Sequence, residues 1–139
     1  MENLKDIHIG DLLYKRVKEK EVEMGRICKF LQKTEKEIIE MYSQKSVGTD
    51  VLLKWCKLLE YDFFRLYSNH LILYAPVSSP NKKEKQSQLP QFRKSLYTKE
   101  IIDFMLELLE NKQMTTLEIM TQYRIPKSTL NKWISKYRS

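Results

Sequence analysis

The chain has 139 residues, 42% of them apolar and 31% charged, with a net charge of +7. That length suits one ordinary domain or two very small ones, and the balance is that of a globular protein with a highly charged surface. No run approaches the ~20 apolar residues that span a bilayer, and the opening "MENLKDIHIG" lacks the apolar segment of a secretory signal.

Only three glycines occur, Gly10, Gly25 and Gly48, too few for phosphate-cradling glycine loops or many tight hairpins, so helix is the expectation. Cys28 and Cys56 lie in apolar surroundings and read as reduced, small core residues.

In chain order, a first block runs from about Ile9 to Tyr74. Leu12, Leu13 and Val17 repeat at helical spacing with polar residues opposite, and a second run carries Ile27, Phe30 and Leu31. In "TEKEIIEMY", Thr34 and Glu37 have the spacing of a capping box. The threonine oxygen accepts from the third helical amide while the glutamate reaches back to the cap amide. Leu52, Leu53, Trp55, Cys56, Leu58 and Leu59 predict a strongly apolar fourth helix, begun by Thr49 or Asp50. "YDFFRLYSNHLILY" adds bulky core and a tail of ambiguous, extended character.

Residues 75–92, "APVSSPNKKEKQSQLPQF", hold three of the four prolines and few apolar side chains. Such a stretch does not bury enough surface to fold alone, so 75–97 reads as an extended linker between domains 1–74 and 98–139. Charge is unevenly placed. Residues 1–74 carry 13 Lys or Arg against 12 Asp or Glu, 75–97 carry 5 against 1, and 98–139 carry 7 against 5. A basic excess in the middle and end suits a polyanion. Lys82, Lys83 and Lys85 are either a solvated spacer or an arm along a phosphate backbone.

The second block starts near Ser95. Ile101, Ile102, Met105, Leu108 and Leu109 share a helical face, and Thr115 with Glu118 repeats the capping-box spacing at the head of a short helix through Tyr123. Arg124 to Pro126 break the pattern. A last helix then points Leu130, Trp133, Ile134 and Tyr137 inward, with Trp133 and Tyr137 supplying much of a three-helix core. Two short helices joined by about three residues form a helix-turn-helix unit, whose second helix enters the major groove of DNA. From Arg124 to Arg138 there are five basic residues and no acid. Lys127, Ser128, Asn131, Lys132 and Ser135 face outward. Lys127 at the helix start suits a phosphate. Ser128 and Asn131 are neutral hydrogen-bonding groups, and asparagine pairs with adenine through two atoms. Lys132, Lys136 and Arg138 suit phosphates. A solvated basic helix face is the rival explanation.

The stretch "YTKEIIDFMLELLENKQMTTLEIMTQYRIPKSTLNKWISKYR" resembles the DNA-binding domain of insertion-sequence transposases and the related pipsqueak-like, homeodomain-like helix-turn-helix. Ile125, Ser128, Thr129, Leu130 and Trp133 carry the likeness. That resemblance implies a DNA-recognition helix here; with the reading of the residues themselves, the candidate contacts are Arg124, Lys127, Ser128, Thr129, Asn131, Lys132, Ser135, Lys136 and Arg138. Arg124 stands where a small residue, often glycine, is usual, and Met120 stands where alanine is. The first block more weakly resembles the lambda-repressor-like, or Xre-like, helix-turn-helix domain. Ile27, Cys28 and Leu31 match its core helix, and Ile38 and Met41 the buried face of its recognition helix. Lys33 replaces its apolar turn residue, and the reading face offers Glu35, Lys36, Ile39 and Glu40. An acidic face is repelled by phosphates, so self-association or a protein contact is the first expectation there. DNA contact, aided by Lys15, Arg16, Lys18 and Lys20, and a purely structural role are the others.

Enzyme readings find little support. Asp50, Glu60 and Asp62 read as caps and surface pairs rather than carboxylates for two metal ions. His8 and His70 lack partners at metal-ligand spacing, and no His or Arg cluster accompanies a tyrosine. A membrane-surface helix needs a free apolar face, and the apolar faces here are used in two cores. The expectation is an all-α, non-enzymatic protein of a bacterial-type cytoplasm. It has two helix-turn-helix domains and no cofactor, metal or small-molecule ligand. It binds double-stranded DNA, as a transcriptional regulator or the DNA-recognition component of a mobile element, and self-associates as a homodimer through its first domain. The rival class is a protein-interaction module using the same shape.

Overall fold

A computed structural model describes residues 2–76, 87–92 and 97–138. The described residues are all-α. The helices are α1 (Glu2–Lys5), α2 (Ile9–Lys20), α3 (Met24–Leu31), α4 (Glu35–Tyr42), α5 (Thr49–Leu59), α6 (Phe64–Tyr74), α7 (Lys99–Glu110), α8 (Thr116–Tyr123) and α9 (Lys127–Arg138). They divide into two compact units, Glu2–Tyr67 and Ser68–Ser139. The division falls inside α6, earlier than the 74/75 boundary that composition suggests.

In the first unit, α2 begins with His8 as its cap, the ring Nδ1 accepting from the Asp11 amide at 3.2 Å. This gives His8 a structural task. The next two amides, Ile9 and Gly10, donate to the carbonyls of Lys45 and Gln44, both at 3.0 Å. The orphan donors of a helix start are thereby met by the chain that leaves α4. Ile9, Leu13, Val17, Ile27, Leu31, Ile38, Met41, Leu52, Trp55, Leu58, Leu59 and Phe63 form one buried core, with Cys28 and Cys56 half-buried and unbridged against it.

The expected capping box opens α4. Thr34 Oγ1 accepts from the Glu37 amide at 3.2 Å, and Glu37 Oε1 accepts from the Thr34 amide at 3.1 Å. The Thr34 amide and then its hydroxyl hold the Glu37 carboxyl below the ordinary glutamate range. A lowered folded-state pKa stabilises above the unfolded value and loses that effect as pH falls through the folded one. The stability gap between the protein and a Thr34→Ala variant, read from urea melts, is therefore expected to narrow in acid.

One expectation for this unit holds and one changes. α5 begins at Thr49 as expected, with Gly48 in the cap position and no side-chain bond there. The tail of "YDFFRLYSNHLILY" is not extended but forms α6. Burial decides this. Phe64, Leu66 and Tyr67 pack on the first core, and Asn69 and Leu73, one turn apart on one side, are also buried.

In the second unit Thr98 caps α7, accepting from the Ile101 amide, and the Thr115–Glu118 capping box opens α8 as the sequence suggests. Ile101, Met105, Leu106, Ile119, Ile125, Leu130 and Trp133 are buried. Leu108, Leu109 and Ile134 are half-buried. Tyr137 is not core; it is 37% exposed, and its ring lies under the Lys136 ammonium at 5.2 Å.

Glu21, Gln32, Glu60, Lys112 and Arg124 have φ between 51° and 56°, whereas none of the described glycines has positive φ. Four of these residues cap the ends of α2, α3, α5 and α8. Left-handed backbone costs an L-residue roughly 1–2 kcal/mol and a glycine little.

Candidate nucleic-acid interface

The second unit presents a short helix, a three-residue turn and a longer helix. Arg124 ends α8 at φ 56°, ψ 41°, a conformation glycine adopts without strain. The arginine therefore keeps the turn that its replacement of a small residue put in question. Ile125 follows at 2% exposure and anchors the turn in the core. Pro126 comes next, its carbonyl accepting from the Leu130 amide at 3.1 Å as α9 starts; its fixed φ suits a helix entry.

Within α9, Leu130 and Trp133 are buried. The Tyr97 ring meets Trp133 edge-on, with centroids 4.9 Å apart. Opposite this inner face, Lys127, Ser128, Asn131, Lys132, Ser135 and Lys136 are all exposed. Ser128, Asn131, Lys132 and Ser135 follow one another at helical spacing, so they form one polar stripe. Lys127, Lys132, Lys136 and the exposed Arg124 have no ion-pair partner among the described residues.

Two expected contact residues stand off the stripe. Arg138 bonds the Glu110 carboxylate through its Nε and the Tyr137 carbonyl through its Nη1, which ties α9 to the end of α7. Thr129 is half-buried on the flank of the helix, away from the stripe. Lys82, Lys83 and Lys85 lie outside the described residues. Tyr97 was not foreseen as a support for α9. Its place just before the Thr98 cap, where an apolar residue often staples a helix start, was the available signal.

The first unit repeats the backbone pattern with different chemistry. Gln32 ends α3 at φ 54°, ψ 48°, and a three-residue turn leads to α4. The second turn residue, apolar Ile125 in the other unit, is here Lys33, half-buried and paired with Glu37 at 3.8 Å. Along α4, Glu35, Lys36 and Glu40 are exposed around Ile39, itself 54% exposed. The basic strip of α2 is partly spent. Arg16 bonds the Leu59 and Glu60 carbonyls and Glu19, Lys20 pairs with Glu60 at 3.4 Å, and Lys18 lies over Tyr14. Only Lys15 of the four has no such engagement among the described residues.

Among the described residues, no group of three or more His, Cys, Asp or Glu side chains is placed to hold a metal ion. Nor is any described helix long and apolar enough to cross a membrane. The chain matches no protein-family model, no curated protein and no solved structure.

Arg124→Gly separates the two tasks of the turn. Relief of left-handed strain is expected to raise the stability of the second unit by about 1 kcal/mol, read as a higher urea midpoint at unchanged m-value. Loss of the cation is expected to weaken duplex binding. Gln32→Gly, which removes no cation, gains the stability alone.

Proposed function

We propose that this chain is a sequence-specific double-stranded DNA-binding protein that reads the major groove with α9. One observation carries the reading: the exposed side of a buried-face helix, entered through a three-residue turn, is a stripe of Ser, Asn and Lys without a single acid. The assignments follow from chemistry. Asn131 and Ser128 bond base edges, and Lys127, Lys132, Lys136 and Arg124 take phosphates. Likeness to the insertion-sequence transposase helix-turn-helix favours the same role. The protein then acts either as a transcriptional regulator or as the DNA-recognition component of a mobile element, in a bacterial-type cytoplasm.

The first unit is assigned a protein contact rather than groove reading. Glu35 and Glu40 flank the exposed Ile39 where phosphates would have to lie, and like charge opposes that approach. Self-association through this unit would present two α9 helices to the two half-sites of a symmetric operator. The same exposed face also favours the second reading, an interaction module for another protein.

A salt titration tests the main proposal. Four unpaired cations predict a log–log slope of affinity against salt of about −3 to −4, near −0.9 per phosphate contact. Failure to bind any duplex at low salt overturns the proposal.

A further inference from the structure

Asn69 is the one fully buried polar side chain among the described residues, and it sits in the middle of α6. Asparagine is a poor choice for a helix interior, because its side chain competes for backbone hydrogen bonds. Here that capacity is used at long range: Asn69 Oδ1 accepts from the Thr98 amide at 3.1 Å, 29 positions away. Thr98 is the cap of α7, and the adjacent Tyr97 lays its ring edge on Trp133, the inward residue of α9. Leu73, one turn beyond Asn69, is buried as well. Burial, and secondarily the Tyr74 hydroxyl, raise the Tyr123 phenol above its ordinary value. All of these residues belong to the second unit.

We propose that residues 68–74 are a fourth helical element of the α9-bearing unit. In it Asn69 is a positioning residue: it fixes the entry to α7, and so the Tyr97–Trp133 contact that supports the reading helix. The tail of "YDFFRLYSNHLILY" then serves the second helix-turn-helix rather than the first. The consequence for DNA affinity rests on the function proposed above; the consequence for folding does not.

The two tryptophans allow a test in the full chain, since Trp55 reports Glu2–Tyr67 and Trp133 reports Ser68–Ser139. Their indole N–H signals are followed by NMR through a urea titration, together with hydrogen exchange at the Thr98 amide. Asn69→Leu keeps bulk and removes the acceptor. It is expected to speed Thr98 exchange about tenfold or more, the factor for an unmet buried amide, and to lower the Trp133 midpoint while Trp55 keeps its own. Asn69→Asp keeps an acceptor oxygen and is expected to restore Thr98 protection. Leu73→Ala probes the same helix without touching the bond and is likewise expected to move Trp133 alone. Loss of the second unit's signals in Asn69→Leu with Trp55 still native supports the placement. The proposal is overturned if Trp55 moves alone or both midpoints fall together. It is equally overturned if Asn69→Leu leaves Thr98 exchange unchanged, or if Asp protects no better than Leu. If the variants show these shifts while the wild-type chain binds no duplex, the DNA reading is defeated and the positioning role stands.

Discussion

Asn131→Ala is expected to bind duplex DNA with its sequence preference largely lost, while Lys132→Ala is expected to bind every sequence more weakly. The two residues are neighbours on the exposed stripe of α9, so the same helix at the same distance from DNA distinguishes their roles. A bidentate amide–adenine contact discriminates against a wrong base by about 1–3 kcal/mol. Removing it compresses the ratio between best and random duplexes by roughly 5- to 150-fold. The lysine acts through charge, so its loss is expected to make the salt slope shallower by about 1 with little change in sequence ranking. Competition binding against a selected and a scrambled duplex at several salt concentrations reads both effects. Equal, salt-independent losses in the two variants would contradict the assignment. Arg138→Ala is the internal control. Its guanidinium is engaged by Glu110, so its removal is expected to loosen the end of α9 and leave the salt slope near the parent value.

Gly10→Ala is expected to disrupt the first unit more than any other single methyl group. A Cβ at this position would lie 2.4 Å from the Tyr42 carbonyl oxygen and 2.5 Å from that of Met41. Both are backbone atoms at the end of α4, so no side-chain rotation relieves the clash. The Gly10 amide also donates to Gln44 at 3.0 Å, and that bond holds the two chains at this separation. Moving α2 away sacrifices the bond and opens the core beneath Ile9 and Leu13. Overpacking of this kind costs about 3 kcal/mol or more. A unit of this size has roughly 3–10 kcal/mol in total. The expected outcome is a fall in melting temperature of about 12 °C or more for the transition reported by Trp55. Gly25→Ala is the matched control, because its Cβ would meet nothing within 4 Å. An unchanged melting temperature in Gly10→Ala would show that α2 does not dock as closely as described.

These two predictions differ in how far the sequence reveals them. Asn131 and Lys132 are legible from local spacing, because Leu130 and Trp133 fix which way α9 faces. Both capping boxes are legible for the same reason: Thr34 with Glu37 and Thr115 with Glu118 satisfy a rule that spans three residues. Gly10 carries no comparable sign, since the carbonyls that require it belong to residues 41 and 42. The sequence shows the charge of Arg138 but not its pairing, since Glu110 stands far back in the chain. Tyr137 fits the apolar spacing of α9, but it lies near the helix end and stays partly exposed.

What the sequence determined by itself is therefore the set of local facts. They are the all-α class of the described residues, the starts of α4 and α8, the inward and outward faces of α9, and the acid-free charge of that last helix. Periodicity, capping and composition act over one or two turns and survive without knowledge of the partners. Only the tertiary structure decided that α6 continues as a helix past Tyr67, and that Asn69 is spent on Thr98. It also decided that Arg124 takes a left-handed turn and that Gly10 meets a carbonyl. Each of these depends on which distant atoms burial brings within a few ångströms, and chain spacing does not encode that distance.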